Sequence, residues 1–102
     1  MLDLASVSSE TFQPHVGSAF ELDHPEQKES FTLVEVEPLA ARDHPFTTRP
    51  SFSLFFNGSS TQIQFNQQIL PLKHDVLGAM RIFFVPIAQN ADGTIRYQAL
   101  FN

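Results

Sequence analysis

The run Met80-Arg81-Ile82-Phe83-Phe84-Val85-Pro86-Ile87 decides the fold of this chain, together with the run Thr94-Ile95-Arg96-Tyr97-Gln98-Ala99-Leu100-Phe101. Between them stands Asn90-Ala91-Asp92-Gly93, which suits a type I turn followed by a glycine in the left-handed conformation. Two β-patterned runs around such a turn predict a hairpin over the segment Gly78 to Asn102. We therefore expect a β protein.

Periodicity does not determine the register of this hairpin. One register pairs Phe83 with Phe101, and the register one residue along pairs Ile82 with Phe101. Both produce a wholly apolar face, because residues 82–87 are apolar on both sides. The turn sequence favours the first register. A strand that is apolar on both faces needs cover from a helix, from barrel closure or from another copy of the chain. The candidate interaction surface is accordingly Ile82, Phe84, Pro86 and Leu100.

The rest of the chain indicates one short helix and several more strands. The helix is expected within Ser6 to His15, because Pro14 disfavours helical backbone in the residue before it. Asn57-Gly58 is a strong signal for a two-residue hairpin turn. Leu33 and Val34 break the alternation of their strand, which predicts a β-bulge. The expected strands are 19–22, 31–37, 51–56, 62–65 and 69–72, and a crossover is expected over 73–77.

These elements predict a single domain over residues 1–102, built as a small antiparallel β-barrel or roll of about six to seven strands. A closed barrel is favoured because closure removes the edge that a phenylalanine-rich strand would otherwise expose. The chain has eleven Phe, one Tyr and no Trp. Since Phe has no polar group, most of these rings are expected to fill the core. The longest irregular segment is expected at 39–50.

Charge is distributed unevenly along the chain. Residues 1–43 carry a net charge of −7, and residues 44–102 carry +2. Neither half has a cluster of Lys and Arg, so binding to nucleic acid is not expected. The asymmetry could orient self-association between an acidic face and a weakly basic face. Alternatively, it is a solvated acidic rim.

The sequence contains no signal for a membrane or an export pathway. No window approaches 18 consecutive apolar residues, and the first residues lack a basic and an apolar region. A cytoplasmic protein is therefore expected. There is no cysteine, which excludes disulfides and a thiolate nucleophile.

Four histidines are the main candidates for chemistry. A metal site would have to gather His24, His44 and His74 from three loops, because no pair has a spacing that brings two ligands together locally. The repeated Asp-His-Pro tripeptides are better explained as turns, with the aspartate accepting from backbone amides. His15 and His74 are expected to hydrogen-bond nearby backbone. No nucleophile accompanies them at a recognisable spacing, so neither an enzyme nor a bound cofactor or metal is expected.

A ligand-binding barrel is the alternative to an interaction module. Its apolar cavity would be lined by Phe52, Leu54, Phe65, Phe84 and Tyr97. Barrels of this length more often fill their interior with side chains, so a small ligand is not favoured.

Several stretches of the chain resemble a family of small, uncharacterised bacterial β-rich proteins. They are Phe12–Phe20, His74–Gly78, Phe83–Ile87 and Tyr97–Asn102, with Asp92-Gly93 between the last two. The resemblance implies a bacterial source and an accessory role in assembly, because some members occur beside phage-tail-collar-like proteins. It supplies no activity and no catalytic residue. The leading hypothesis is a non-enzymatic structural or protein-interaction module that self-associates or docks on a larger assembly.

Overall fold

The computed structural model describes residues 2–39 and 51–101 of the chain. It contains one turn of α-helix and a short 3-10 helix, followed by six strands. The elements are α1 (Ser9–Phe12), the 3-10 helix (Gln13–His15), β1 (Ala19–Leu22), β2 (Ser30–Pro38), β3 (Phe52–Gly58), β4 (Gln68–His74), β5 (Gly78–Gln89) and β6 (Ile95–Phe101). The predicted segment 39–50 lies outside the described residues, apart from Leu39.

The six strands form a closed antiparallel barrel in the order β1-β2-β3-β6-β5-β4, and pairing of β1 with β4 completes the ring. Every pair in the ring is antiparallel. The predicted all-β class and barrel closure are both confirmed. Closure pairs both edges of every strand, so β6, which is rich in apolar residues, exposes no free edge.

The barrel interior is filled with aromatic and aliphatic side chains from alternate strand positions. Phe12 of α1 lies at one end, fully buried, with its ring against those of Phe20, Phe52 and Phe101. The helix predicted within Ser6 to His15 is thus present as α1 and the 3-10 helix, which together span residues 9–15. Burial of the Phe12 side chain holds this short helix against the end of the barrel.

The predicted bulge in β2 is confirmed. Leu33 pairs with Phe56 and Glu35 pairs with Phe55, so Val34 is the extra residue on its strand. The bulge lets Leu33 and Val36 both face the interior although they are three residues apart. Glu35 consequently faces outwards.

The hairpin β5–β6 combines the two registers that the sequence left open. Its turn is as predicted: the Gly93 amide donates to the Asn90 carbonyl, and Gly93 has a φ of 92°. Next to the turn, Ala88 pairs with Arg96 in the favoured register. A shift between Pro86 and Ala88 then moves the strand by one residue, and Pro86 pairs with Tyr97. The favoured register is therefore correct for Ala88 and Gln89 and wrong for Val85 and Pro86, because turn chemistry cannot anticipate a bulge further along.

The two connections on either side of β4 also differ from the prediction. Asn57-Gly58 is not a hairpin turn but the end of β3, and residues 59–67 lead to β4 without forming the expected strand 62–65. The expected crossover at 73–77 is a tight hairpin turn in which His74 pairs with Gly78. β4 is thus the hairpin partner of β5, whereas β3 lies between β2 and β6.

Candidate functional site

The structure corrects the predicted interaction surface. Ile82 is 2% exposed and Phe84 is fully buried, so these two side chains belong to the core. Pro86 is half-buried, and only Leu100 is clearly exposed. The correction follows from the register shift, which turns the even-numbered positions of β5 inwards. The outward apolar face of β5 is consequently the one that carries Phe83.

Three exposed apolar side chains lie next to one another on neighbouring strands of the barrel. Ile69 of β4 and Phe83 of β5 are direct partners, and they are 55% and 47% exposed. The register of Val85 with Gln98, continued by two residues, places Leu100 of β6 opposite Phe83. Leu100 is 53% exposed. We call Ile69, Phe83 and Leu100 the apolar row.

The apolar row lies in a shallow, open depression of about 270 Å³. Half-buried Leu4 of the N-terminal segment lines one part of it, and Arg81 supplies its charged group. No carboxylate of the described residues lies within ion-pair distance of Arg81. The depression therefore combines apolar contact area with a cation.

The acidic and basic residues of the strands lie on different strands of the barrel. The strand residues of β1 and β2 include acids but no base, those of β4, β5 and β6 include bases but no acid, and those of β3 are uncharged. In the closed ring, β1 and β2 lie across from β6 and β5. The acids are Glu21, Glu35 and Glu37, and the bases are Lys73, Arg81 and Arg96. Among the strand residues, acids and bases are thus carried by different strands.

Part of this charge is compensated within the molecule. Arg96 forms an ion pair with Glu35 at 3.2 Å, and its guanidinium lies 4.6 Å from the centre of the Phe55 ring. Lys73 lies opposite Glu21 in the β1–β4 register. Arg81 on β5 lies two strands from β1 and three from β2, and it forms no ion pair with a described residue.

A serine and two histidines form a second cluster, where β1, β4 and the 3-10 helix meet. The Ser18 hydroxyl lies 2.9 Å from Nε2 of His74, and the rings of His15 and His74 are 4.8 Å apart. His74 is 8% exposed. Burial, together with the neighbouring His15, lowers the pKa of His74, while Asp75 opposes this shift.

The hydrogen bonds of His74 place its proton on the nitrogen that faces Ser18, which is unfavourable for a general base. Nδ1 accepts from the amides of Val76 and Leu77, at 3.1 and 3.2 Å, so it carries no proton. The proton of the neutral ring is then on Nε2, which donates to the Ser18 oxygen. Ser18 in turn donates to the carbonyl of His15 at 2.5 Å. A general base needs the opposite tautomer, so this arrangement stabilises the turn rather than activating the serine.

The other histidines do not join this cluster into a metal site. Nδ1 of His24 accepts from the amides of Glu26 and Gln27, so the histidine, and not the predicted Asp23, holds this turn. His44 lies outside the described residues. Among residues 2–39 and 51–101, no group of three potential ligands could hold a metal ion.

The residues predicted to line a ligand cavity fill the interior instead. Phe52, Leu54, Phe65, Phe84 and Tyr97 are all buried. The ring of Phe84 lies 5.5 Å from Tyr97, and Phe52 stacks on Phe101 at 4.8 Å. A further depression, of about 290 Å³, lies on the outer surface beside the β5 bulge, where Ile87 and Ile95 line it.

No described helix is long and apolar enough to cross a membrane. No curated protein and no solved structure matches the chain. A family model does match it, over residues 7–101, which include all six strands and both short helices. The chain therefore belongs to the family described as Domain of unknown function (DUF6916).

Proposed function

We propose that this domain is a non-enzymatic protein-interaction module that binds a protein surface through the apolar row. The observation that carries the proposal is the exposure of Ile69, Phe83 and Leu100 on three adjacent strands of a barrel whose interior is already filled. Their side chains expose roughly 300 Å² together, the size at which an apolar patch on a monomer is often functional.

The surroundings of the apolar row indicate the chemistry of its partner. The strands that carry it have bases and no acids, and Arg81 lies in the same depression. A partner that covers the row would desolvate Arg81, and a carboxylate on the partner would offset the free-energy cost. We therefore expect a protein surface that offers apolar side chains next to acidic ones.

The shape and the charges of this surface are unfavourable for a small molecule and for a nucleic acid. The depression is open and shallow, whereas small-molecule sites enclose most of their ligand. Lys73, Arg81 and Arg96 lie on three separate strands and two of them face glutamates, so they do not form a basic track for phosphates. The accessory role in a bacterial, phage-tail-like assembly and the cytoplasmic location indicated by the sequence stay predictions within this proposal.

Site-specific photo-crosslinking in cells that produce the chain tests the proposal. A photoreactive phenylalanine analogue replaces Phe83 in one variant and Val76 in another. Val76 is the matched control because it is apolar and 74% exposed but lies in the β4–β5 turn, away from the row. We expect one discrete crosslinked protein at position 83 and none at position 76.

A second substitution is a control for unspecific crosslinking at position 83. Leu100→Glu in the same chain places a charge beside position 83 and should abolish the crosslink, while circular dichroism shows an unchanged fold. Absence of a crosslink at position 83, equal crosslinking at position 76, or persistence with Leu100→Glu would each refute the proposal.

A further inference from the structure

We infer that the partner surface is the acidic side of a second copy, so that copies of this domain join head to tail. By the acidic side we mean the outer surface of β1 and β2, with Glu21, Glu35 and Glu37. The inference rests on the proposed function, because it names the surface that covers the apolar row.

Charge complementarity is the first argument. The middle strand of the apolar row, β5, lies across the barrel from β2 of the acidic side, although β4 borders β1. Phe83 and the outer face of β2 therefore point away from each other, and each molecule presents both halves of a contact. A contact of the row with the row of a second copy would bring two Arg81 side chains together, and the strand residues of β4, β5 and β6 supply no carboxylate to compensate them. Like charges across an interface are unfavourable, whereas the acidic side offers carboxylates to Arg81.

The acidic side also has apolar groups that could meet the row. Val16 is 41% exposed, and Val34 is half-buried at the bulge of β2. The two lie close in the structure, because the amide of Gly17 donates to the carbonyl of Leu33 at 2.7 Å. The acidic side therefore matches the expected partner in both respects, apolar contact and negative charge.

The size of the apolar row sets the character of the contact. Roughly 300 Å² is well below the ~800 Å² that each partner buries in a standard stable interface. The flanking charges must then contribute, and exposed charge pairs weaken as salt screens them. We expect association that is weak for a single contact and that decreases with ionic strength.

The position of the two surfaces determines the assembly. In a head-to-tail dimer, one molecule still has a free apolar row and the other still has a free acidic side. Further copies can add at either end, which produces a ring or an open filament. The size distribution should accordingly continue beyond the dimer as concentration rises.

Two variants that each remove one surface test this inference by sedimentation velocity. The row variant is Phe83→Glu. The acidic-side variant is Glu21→Lys with Glu37→Lys, which leaves Glu35 in its ion pair with Arg96. Val76→Glu is the control for an added surface charge. Unfolding curves confirm that each variant is folded.

Wild type and the control should form a concentration-dependent series of species at low salt. Each surface variant alone should associate at least about tenfold more weakly, as expected for loss of a central interface group. An equimolar mixture of the two variants should form a one-to-one dimer and nothing larger, because each supplies the surface that the other lacks.

Other outcomes separate the failure of this inference from the failure of the proposed function. If the acidic-side variant alone still dimerises and the row variant does not, the contact is row to row, which refutes the head-to-tail arrangement and leaves the interaction surface intact. If wild type is monomeric at all concentrations, the inference is refuted. The crosslink at position 83 then decides the proposed function separately.

Discussion

The phenol oxygen of Tyr97 accepts a hydrogen bond from the backbone amide of Phe65, with 3.0 Å between oxygen and nitrogen. Tyr97 is 1% exposed and is the one tyrosine of the sequence. The bond joins β6 to the connection 59–67, which has no strand ladder of its own. The Tyr97 side chain thus provides the hydrogen-bond acceptor that a neighbouring strand would otherwise provide for the Phe65 amide.

Tyr97→Phe should lower the free energy of unfolding by about 1–3 kcal/mol, because it leaves the buried Phe65 amide without an acceptor. The ring contacts with Phe31 and Phe84 remain, so the fold is kept. Urea unfolding monitored by circular dichroism measures the change. A loss below about 0.5 kcal/mol would show that water replaces the hydroxyl.

This hydrogen bond also explains why part of the fold could not be predicted. Gln62, Ile63, Gln64 and Phe65 alternate as a strand does, and Asn57-Gly58 resembles a hairpin turn. In the structure the Asn57 side chain accepts from Asn90 of the β5–β6 turn at 3.0 Å. Both deviations depend on groups more than 30 residues away, which local patterns do not report. The β2 bulge, the type I turn and the phenylalanine core follow from local chemistry and were predictable.

Gly58→Ala should destabilise the domain through the same tyrosine. A methyl group at position 58 would lie 3.3 Å from Cε2 of Tyr97, whose ring is held by Phe31 and Phe84. Because the ring has little room to shift, we expect a loss of about 1–3 kcal/mol in the free energy of unfolding.

A double-mutant cycle identifies the cause of the Gly58→Ala effect. In the Tyr97→Leu background the smaller side chain relieves the contact, so adding Gly58→Ala should cost clearly less. Equal losses in both backgrounds would mean that the backbone at position 58, and not the ring, opposes the substitution.

A buried carboxylate holds the start of the 59–67 connection. Glu29, which is 7% exposed, accepts from the amides of Ser30 and Ser59, at 3.2 and 3.0 Å, and from the Ser59 hydroxyl. Glu29→Ala should reduce the free energy of unfolding by about 2 kcal/mol, because three hydrogen bonds to a charged acceptor are lost. The Ser59 amide keeps the Ser30 carbonyl as an acceptor, which limits the loss. Glu26→Ala is the matched control, since Glu26 is exposed in the same loop. Equal unfolding midpoints for the two variants would contradict this role.

Hydrophobic periodicity could not predict which residues of β5 belong to the candidate site. Residues 82–87 are apolar at successive positions, so the sequence marks the strand as two-sided without telling which side faces outwards. The bulge between Pro86 and Ala88 determines which side faces outwards. Phe83 is exposed, whereas Ile82 and Phe84 are buried. Leu100 was predictable because the alternation of β6 is regular.

The turn that His74 stabilises should be sensitive to pH. Protonation of Nδ1 would break its bonds with the amides of Val76 and Leu77, and burial together with His15 already lowers the pKa of His74. Below about pH 6.5, the ordinary value, the unfolded chain therefore takes up this proton more readily than the folded one. The contribution of His74 to stability is present above that pH and decreases as the pH falls through the lower, folded-state pKa.

His74→Asn separates this effect from other titrations. The asparagine oxygen can accept from the same two amides, since side chains of this type form such turns, but it does not titrate in this range. The unfolding free energy of wild type should therefore fall more between pH 7 and pH 5 than that of the variant. Titratable groups other than His15 and Asp75, which interact with His74, are common to both chains, so their contributions cancel in the comparison. Parallel stability curves would show that His74 keeps its turn in either protonation state, through the Ser18 contact alone.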